Sequence, residues 1–246
     1  MQLFTTFIYQ PIFNLLIFFY NIVPGNDFGV AIILLTIVIK AVLYPLSHQS
    51  IRGQKALQDL QPKVEAIKQQ YKNDKEKQAQ ALIALYKNEK VNPLSSCLPL
   101  LIQLPILFAV YQVFINGLRA ESFELLYPFI ANPGHLNPLS LGIVDLAAPN
   151  VVLAVLAGAA QYWQFKMLMT KRPAISTAGS KDENMMAMMN KQMQYFMPII
   201  TVVIGIGLPG GLVLYWFVVT LLTALQQKIM FRGGNQTPKV IEGEKA

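Results

Sequence analysis

Apolar residues in this chain come in long, almost unbroken runs instead of the mixed pattern of a water-facing helix or strand. Five runs reach or approach the roughly twenty residues a helix needs to cross a hydrocarbon core. They are 27–47, whose apolar stretch 28–47 is interrupted only by Lys40; 93–116, carrying Pro99, Gln103 and Pro105; 151–169; 193–208; and 209–231. Pro209-Gly210-Gly211 divides the last two and predicts a tight turn, because none of the three continues a helix well. The fourth run has sixteen residues. At about 1.5 Å each these span roughly 24 Å, which predicts a thinned bilayer beside them or polar flanks drawn inward. The pattern predicts an all-α membrane protein with five transmembrane helices.

Residues 1–26 are also apolar and uncharged, but Gln10-Pro11, Asn14 and Asn21 interrupt them, and Pro24-Gly25-Asn26-Asp27 separates them from the first span. Two readings stand: a helix lying in the outer interface, which is the expectation, and a sixth span. With no basic n-region and no small-residue cleavage site, Met1 reads as the start of the mature chain.

Segment 48–92 follows a different rhythm. Leu57, Leu60, Val64, Ile67 and Tyr71 recur at steps of three and four, a heptad seam. Asn73-Asp74 offers a turn, Ala79, Leu82 and Tyr86 resume helical spacing, and Asn92-Pro93 stops the run. Pro62 either kinks the first arm or starts a new helix. The prediction is a helical hairpin with an apolar seam and a basic outer face. Its lysines are either simply solvated, or Arg52, Lys63, Lys68 and Lys72 touch lipid headgroups, a ribosome or a client; contact is the expectation.

Charge sets the orientation. Only 13% of the 246 residues are charged against 54% hydrophobic, yet the net charge is +7. Soluble domains carry about 25% charged residues, so here the charges are concentrated in a few loops. Nine Lys and Arg fall between Ser47 and Asn92, and four in 170–192. Segment 117–150 has Arg119 against Glu121, Glu124 and Asp145. The excess of Lys and Arg places 48–92, 170–192 and the tail 232–246 in the cytosol, and the N-terminus and 117–150 outside. The methionines at 185, 186, 188, 189, 193 and 197 suit either ordinary packing at a membrane entry or a surface that accepts varied apolar partners.

Little conventional chemistry is available. Cys97 is the only cysteine, and His48 and His135 lie in no metal-ligand spacing. No HExxH, phosphate loop, GxSxG elbow or pair of carboxylates within the spans occurs. A non-enzymatic protein without metal or cofactor is therefore expected. The most informative residue is Lys40, because a charge deep in a span costs about 2.5–3.5 kcal/mol without water or a partner. It either snorkels to the cytosolic surface or lines a water-filled cavity open to the cytosol. Thr36, one turn earlier on the same face, Gln103, Gln161, Gln164 and Trp216 could line such a cavity with it.

The segments Lys40-Ala-Val-Leu-Tyr-Pro45-Leu, Leu60-Gln-Pro62-Lys and Leu85-Tyr-Lys-Asn-Glu-Lys-Val-Asn-Pro93, in this order, resemble the YidC/Oxa/Alb membrane protein insertases. Cys97-Leu-Pro-Leu-Leu-Ile-Gln103-Leu-Pro105-Ile, Pro209-Gly-Gly-Leu-Val-Leu-Tyr215-Trp216 and Gln226-Gln227 extend the likeness over residues 28–233. The resemblance implies five spans around a hydrophilic groove closed outside and open to cytosol and lipid. It implies a bacterial inner-membrane protein, monomeric, whose partners are nascent membrane-protein clients, lipid, the ribosome and the Sec translocon. The resemblance places Lys40, Thr36, Gln164 and Trp216 in the client-binding groove, and Gln103, Gln161 and Tyr215 are expected to line it with them. Two features depart from the family pattern. Lysine stands at 40 where the family usually has arginine, which removes a five-donor fork while keeping the charge. Neither the large extracytoplasmic domain of many relatives nor a lipid-modified N-terminal cysteine is in the sequence. A small-solute channel and a structural assembly factor are the rival readings; the first needs a path to the outside that no broken-helix pair suggests.

Overall fold

The structure is a computed structural model that describes residues 2–92, 98–116, 120–168 and 194–232. The basic loop 170–192, the methionines 185, 186, 188, 189 and 193, Cys97, Arg119 and the tail beyond Arg232 lie outside the described residues.

The described chain is mostly helical. Helix α1 covers Gln2–Ile22 and includes a π-helical turn at Thr5–Tyr9. It is followed by α2 (Phe28–Val42), α3 (Tyr44–Asp59), α4 (Gln61–Gln70), α5 (Lys75–Asn88) and α6 (Leu98–Asn116). After a 3-10 turn at Ala120–Leu125 come two short antiparallel strands, β1 (Leu139–Ser140) and β2 (Val144–Asp145). Helices α7 (Val151–Leu168), α8 (Gln194–Gly205) and α9 (Gly210–Arg232) complete the order. The described part of each of the five runs expected to span is thus largely helical. Among the described residues, α1 and α9 are by themselves long and apolar enough to cross a membrane, and α2 with α3 makes a third if the bent pair counts as one span.

That bend departs from the straight helix expected over 27–47. The chain turns by 69° at Leu43, where Pro45 sits in the first turn of α3 and so costs no hydrogen bond there. Helix α2 keeps 15 residues, about 22 Å. Lys40 consequently lies in its last turn, nearer the helix end than an unbent run would put it. Pro62 likewise begins α4 and does not kink α3. Asp74 caps α5 by accepting from Lys77 N at 3.0 Å, as the Asn73-Asp74 turn predicts.

The main core joins α1, α2, α6 and α9. Phe13, Leu16 and Ile17 of α1 meet Phe28, Ala31, Ile32 and Leu35 of α2, with Val110, Val113 and Phe114 of α6 and Tyr215 of α9. Phe114 sets its ring edge-on to Phe28 at 5.8 Å. On the other flank α7, α8 and α9 approach through small residues, as helices do where lipid supplies no hydrophobic drive. Ala154 and Ala157 pack with Val213, and a Cβ on Gly158 would meet Pro198 O at 3.0 Å.

Segment 120–150 gathers the helix ends at one pole. Gly210 N donates to Ala148 O (2.9 Å) and Gly211 N to Leu146 O (2.8 Å). Asn14 and Gln10 donate to Leu125 O, both at 3.0 Å, and Asn21 to Ala131 O at 2.7 Å. The polar residues that interrupt the first apolar run are therefore the ties that fasten α1 to this segment. The hairpin α3–α5 occupies the opposite pole. Leu60 and Val64 are buried in its seam, whereas Ile83 on α5 is 67% exposed.

Candidate functional site

Lys40 reaches out of the last turn of α2 towards α9. Its Nζ donates to Thr223 Oγ1 at 3.1 Å and to Gln226 Oε1 at 3.4 Å. Thr223 and Gln226 are three residues apart and so share a face of α9. Both partners are neutral, and among the described residues no carboxylate lies within ion-pair distance of the amine. The ammonium is therefore partly dehydrated and solvated by protein dipoles, without being neutralised by a counter-charge.

The polar cluster continues towards the hairpin. Gln227, 1% exposed, donates through Nε2 to Gln54 Oε1 of α3 at 3.3 Å. Gln227 Oε1 and Gln226 Nε2 are buried without a hydrogen-bond partner, although such atoms nearly always find one in protein or water. Ser50 and Ile51 of α3 are buried, and Lys55 lies 6.0 Å from the Phe231 ring. The base of the hairpin is thus bound to the same end of α9 that holds Lys40.

The other expected groove residues divide into four groups. Gln103 Nε2 donates to Tyr215 OH at 2.7 Å, joining α6 to α9, and Tyr215 is wholly buried. Gln161 accepts from Thr201 Oγ1, joining α7 to α8. Gln164 and Trp216 are half-buried on the mutually packed α7 and α9. Thr36 stands apart, fully buried with its hydroxyl donating to Ile32 O of its own helix at 2.7 Å. Helical spacing from Lys40 gave it the right face but could not reveal that the core covers it.

Sequence reasoning passed over Thr223 and Gln226 as site residues. Their signal is a pair of polar groups one turn apart in the last apolar run, facing a lone charge in another. In the hairpin, Lys63 pairs with Glu89 across the two arms, and Arg52 is exposed. Lys68 and Lys72 lie towards the tip, where Gln78 Nε2 donates to Lys68 O at 3.2 Å.

Residues 18–237 match the family model described as 60Kd inner membrane protein. The chain belongs to this family. It is 39% identical over 228 residues to the membrane protein insertase YidC of Tolumonas auensis, covering 92% of this chain and 36% of that protein. With the insertase YidC of Shewanella halifaxensis it shares 38% over 225 residues, 91% of this chain and 36% of the relative. The counterpart in Haemophilus influenzae is 37% identical over 230 residues, 92% of this chain and 37% of the relative. The chain therefore spans little more than a third of the length of these relatives. The expected YidC/Oxa/Alb kinship holds, as does a bacterial membrane location, and the names of the relatives describe insertion and not catalysis.

Proposed function

We propose that this family member is a membrane protein insertase whose working charge is Lys40. The carrying observation is an ammonium held between apolar helices by two neutral side chains, Thr223 and Gln226. Such a group is expensive to keep among apolar helices, and that cost points to a use. Among the described residues no carboxylate reaches it, so its remaining capacity is free for the acidic or polar end of an incoming chain. Five spans enclose the groove, with Gln103, Gln161, Gln164 and Trp216 as its polar lining. Segment 120–150 closes it from outside, and the N-terminus lies outside and the C-terminus in the cytosol.

In this mechanism the basic hairpin meets the client at the cytosolic surface, through Arg52, Lys63, Lys68 and Lys72, alone or with ribosome and Sec translocon. The client's polar end enters near Lys40 and so escapes part of the cost of burying peptide groups in hydrocarbon. The fourth apolar run, the sixteen residues 193–208, reaches only about 24 Å as a helix, which supports a thinned bilayer beside it. The client's apolar segment then leaves sideways past α7 and α9. Client hydrophobicity, membrane potential and translation supply the drive. The protein works as a monomer without cofactor.

Photo-crosslinkers placed at Gln164 and Trp216 test the route, with Val152 and Ile199, 68% and 59% exposed, as lipid-facing controls. During insertion of a single-span client, its polar end is expected to crosslink at 164 and 216 and not at the controls. Equal yields at all four positions would refute a defined groove.

A further inference from the structure

The strands β1 and β2 carry a tip that the insertase reading does not use. Leu141 and Ile143 are 74% and 80% exposed, and Leu139 is 40% exposed. Leu141 also holds φ at +53°, followed by Gly142 at +70°. Two consecutive positive φ values are the signature of a type I′ turn, where Asn, Asp or Gly normally stand. Gly142 adopts this backbone freely, whereas Leu141 adopts it against its steric preference. A bulky apolar residue kept in an unfavourable backbone on an exposed tip is an outlier that asks for a use.

The tip is firmly mounted. The Asp27 carboxylate accepts from Leu141 N and, at 3.0 Å, from Ser140 Oγ, while capping α2 by accepting from Val30 N at 2.9 Å. Ser140 fills the space over Gly29, where a Cβ would lie 2.7 Å from Ser140 Cβ. The tip is therefore pinned where polar Asp27 gives way to the apolar run beginning at Phe28. For an α2 that enters the membrane, that change sets the water–hydrocarbon boundary. At the same pole α7 begins with Val151 and Val152, 57% and 68% exposed. The tip thus continues the apolar, lipid-facing surface of the helices at its upper rim. Residues 120–150 contain no Lys or Arg, so nothing there suits an acidic partner.

We infer that the β1–β2 tip is a lipid anchor, seating Leu141 and Ile143 in the interfacial zone of the bilayer leaflet at this pole. Its partner is the lipid surface itself. The contact is apolar, and hence indifferent to anionic headgroups and to salt. It would fix the height of segment 120–150, and through Asp27 the start of α2, relative to the membrane. The inference needs the helices to span but does not depend on insertase activity.

Spin labels test it on the full chain carrying Cys97→Ser. Leu141→Cys, Ile143→Cys and, as a water-facing control, His135→Cys are labelled and reconstituted in phosphatidylcholine vesicles with and without phosphatidylglycerol. Labels at 141 and 143 are expected to collide with oxygen several-fold more, and with an aqueous nickel chelate several-fold less, than the label at 135. Neither lipid charge nor salt should alter this. Chelate access equal to that at 135 would overturn the inference. So would shielding from both oxygen and chelate, the mark of a protein contact between copies. Leu141→Asn suits the turn and should leave the melting temperature in detergent unchanged or higher, while making the label at 143 more accessible to chelate. If 143 stays shielded in that variant, Leu141 does not seat the tip.

Discussion

Gly211→Ala puts a methyl group where the packing of α9 on α6 leaves no room. A Cβ at 211 would lie 2.8 Å from Cδ1 and Cζ of Phe114 and nearer still to Cε1. Carbon atoms rest at about 3.5–4.0 Å, so the ring would have to retreat by ~1 Å. Phe114 is 4% exposed and edge-on to Phe28 at 5.8 Å, and Phe28 is in turn edge-on to Tyr20 at 6.1 Å. Moving the first ring therefore pushes a row of three. The start of α9 cannot slide away instead without giving up the bond from Gly211 N to Leu146 O. Overpacking of this kind costs about 1–3 kcal/mol, and thermal unfolding in detergent should report a melting point several degrees lower. Phe114→Leu should destabilise by itself yet restore part of the loss when combined with Gly211→Ala. That coupling should be on the order of 0.5–3 kcal/mol, because the two sites touch. A Gly211→Ala protein that melts with the wild type would refute the close approach of α9 to α6, and with it the packing that brings Tyr215 to Gln103.

Three further outcomes follow from named contacts. Tyr215→Phe leaves the Gln103 amide without its 2.7 Å partner and should cost about 0.6–1.7 kcal/mol in detergent melting. Adding Gln103→Leu should recover most of that loss. Thr223→Val with Gln226→Leu strips both partners from Lys40 and should lower stability at neutral pH by about 1.5–3 kcal/mol per bond to the charged group. In a Lys40→Met background the same pair should be nearly harmless. Burial alone would raise the pKa of Asp27, but bonds from Leu141 N, Val30 N, Ser140 Oγ and Gly29 N outweigh it and hold the pKa below the ordinary value. Its contribution is therefore fully present above the unfolded value of about 3.9 and fades as pH falls through the lower folded value. Hydrogen exchange should find the Leu141 amide protected at pH 7 and pH 5 and released only in stronger acid. Asp27→Asn should release it at every pH.

What the sequence revealed and concealed follows from the range of each interaction. The five helical segments were legible because each is a continuous apolar run, and the hairpin because heptad spacing is local. The bend at Leu43 was hidden, since Tyr44-Pro45 reads equally as a tolerated first turn of a new helix or as a break within one. Lys40 announced itself as a charge among apolar residues, but its partners did not, because Thr223 lies 183 residues away. Gln103 and Tyr215 are 112 residues apart, and no periodicity links them. Asn14 and Asn21 read as interruptions of an apolar helix, and only the fold shows that they bind the segment 120–150. Segment 120–150 itself has no period to read, since its shape rests on Asn14, Asp27 and Asn137 accepting from backbone amides.

The central claim is that the charge at Lys40 receives the client, and insertion of a purified single-span client into proteoliposomes tests it most directly. Lys40→Ala and Lys40→Glu should abolish insertion and Lys40→Arg preserve it, with all three variants folded as judged by their melting. Equal insertion by wild type and all three variants would contradict the account, leaving Lys40 as a lysine that merely reaches the cytosolic surface.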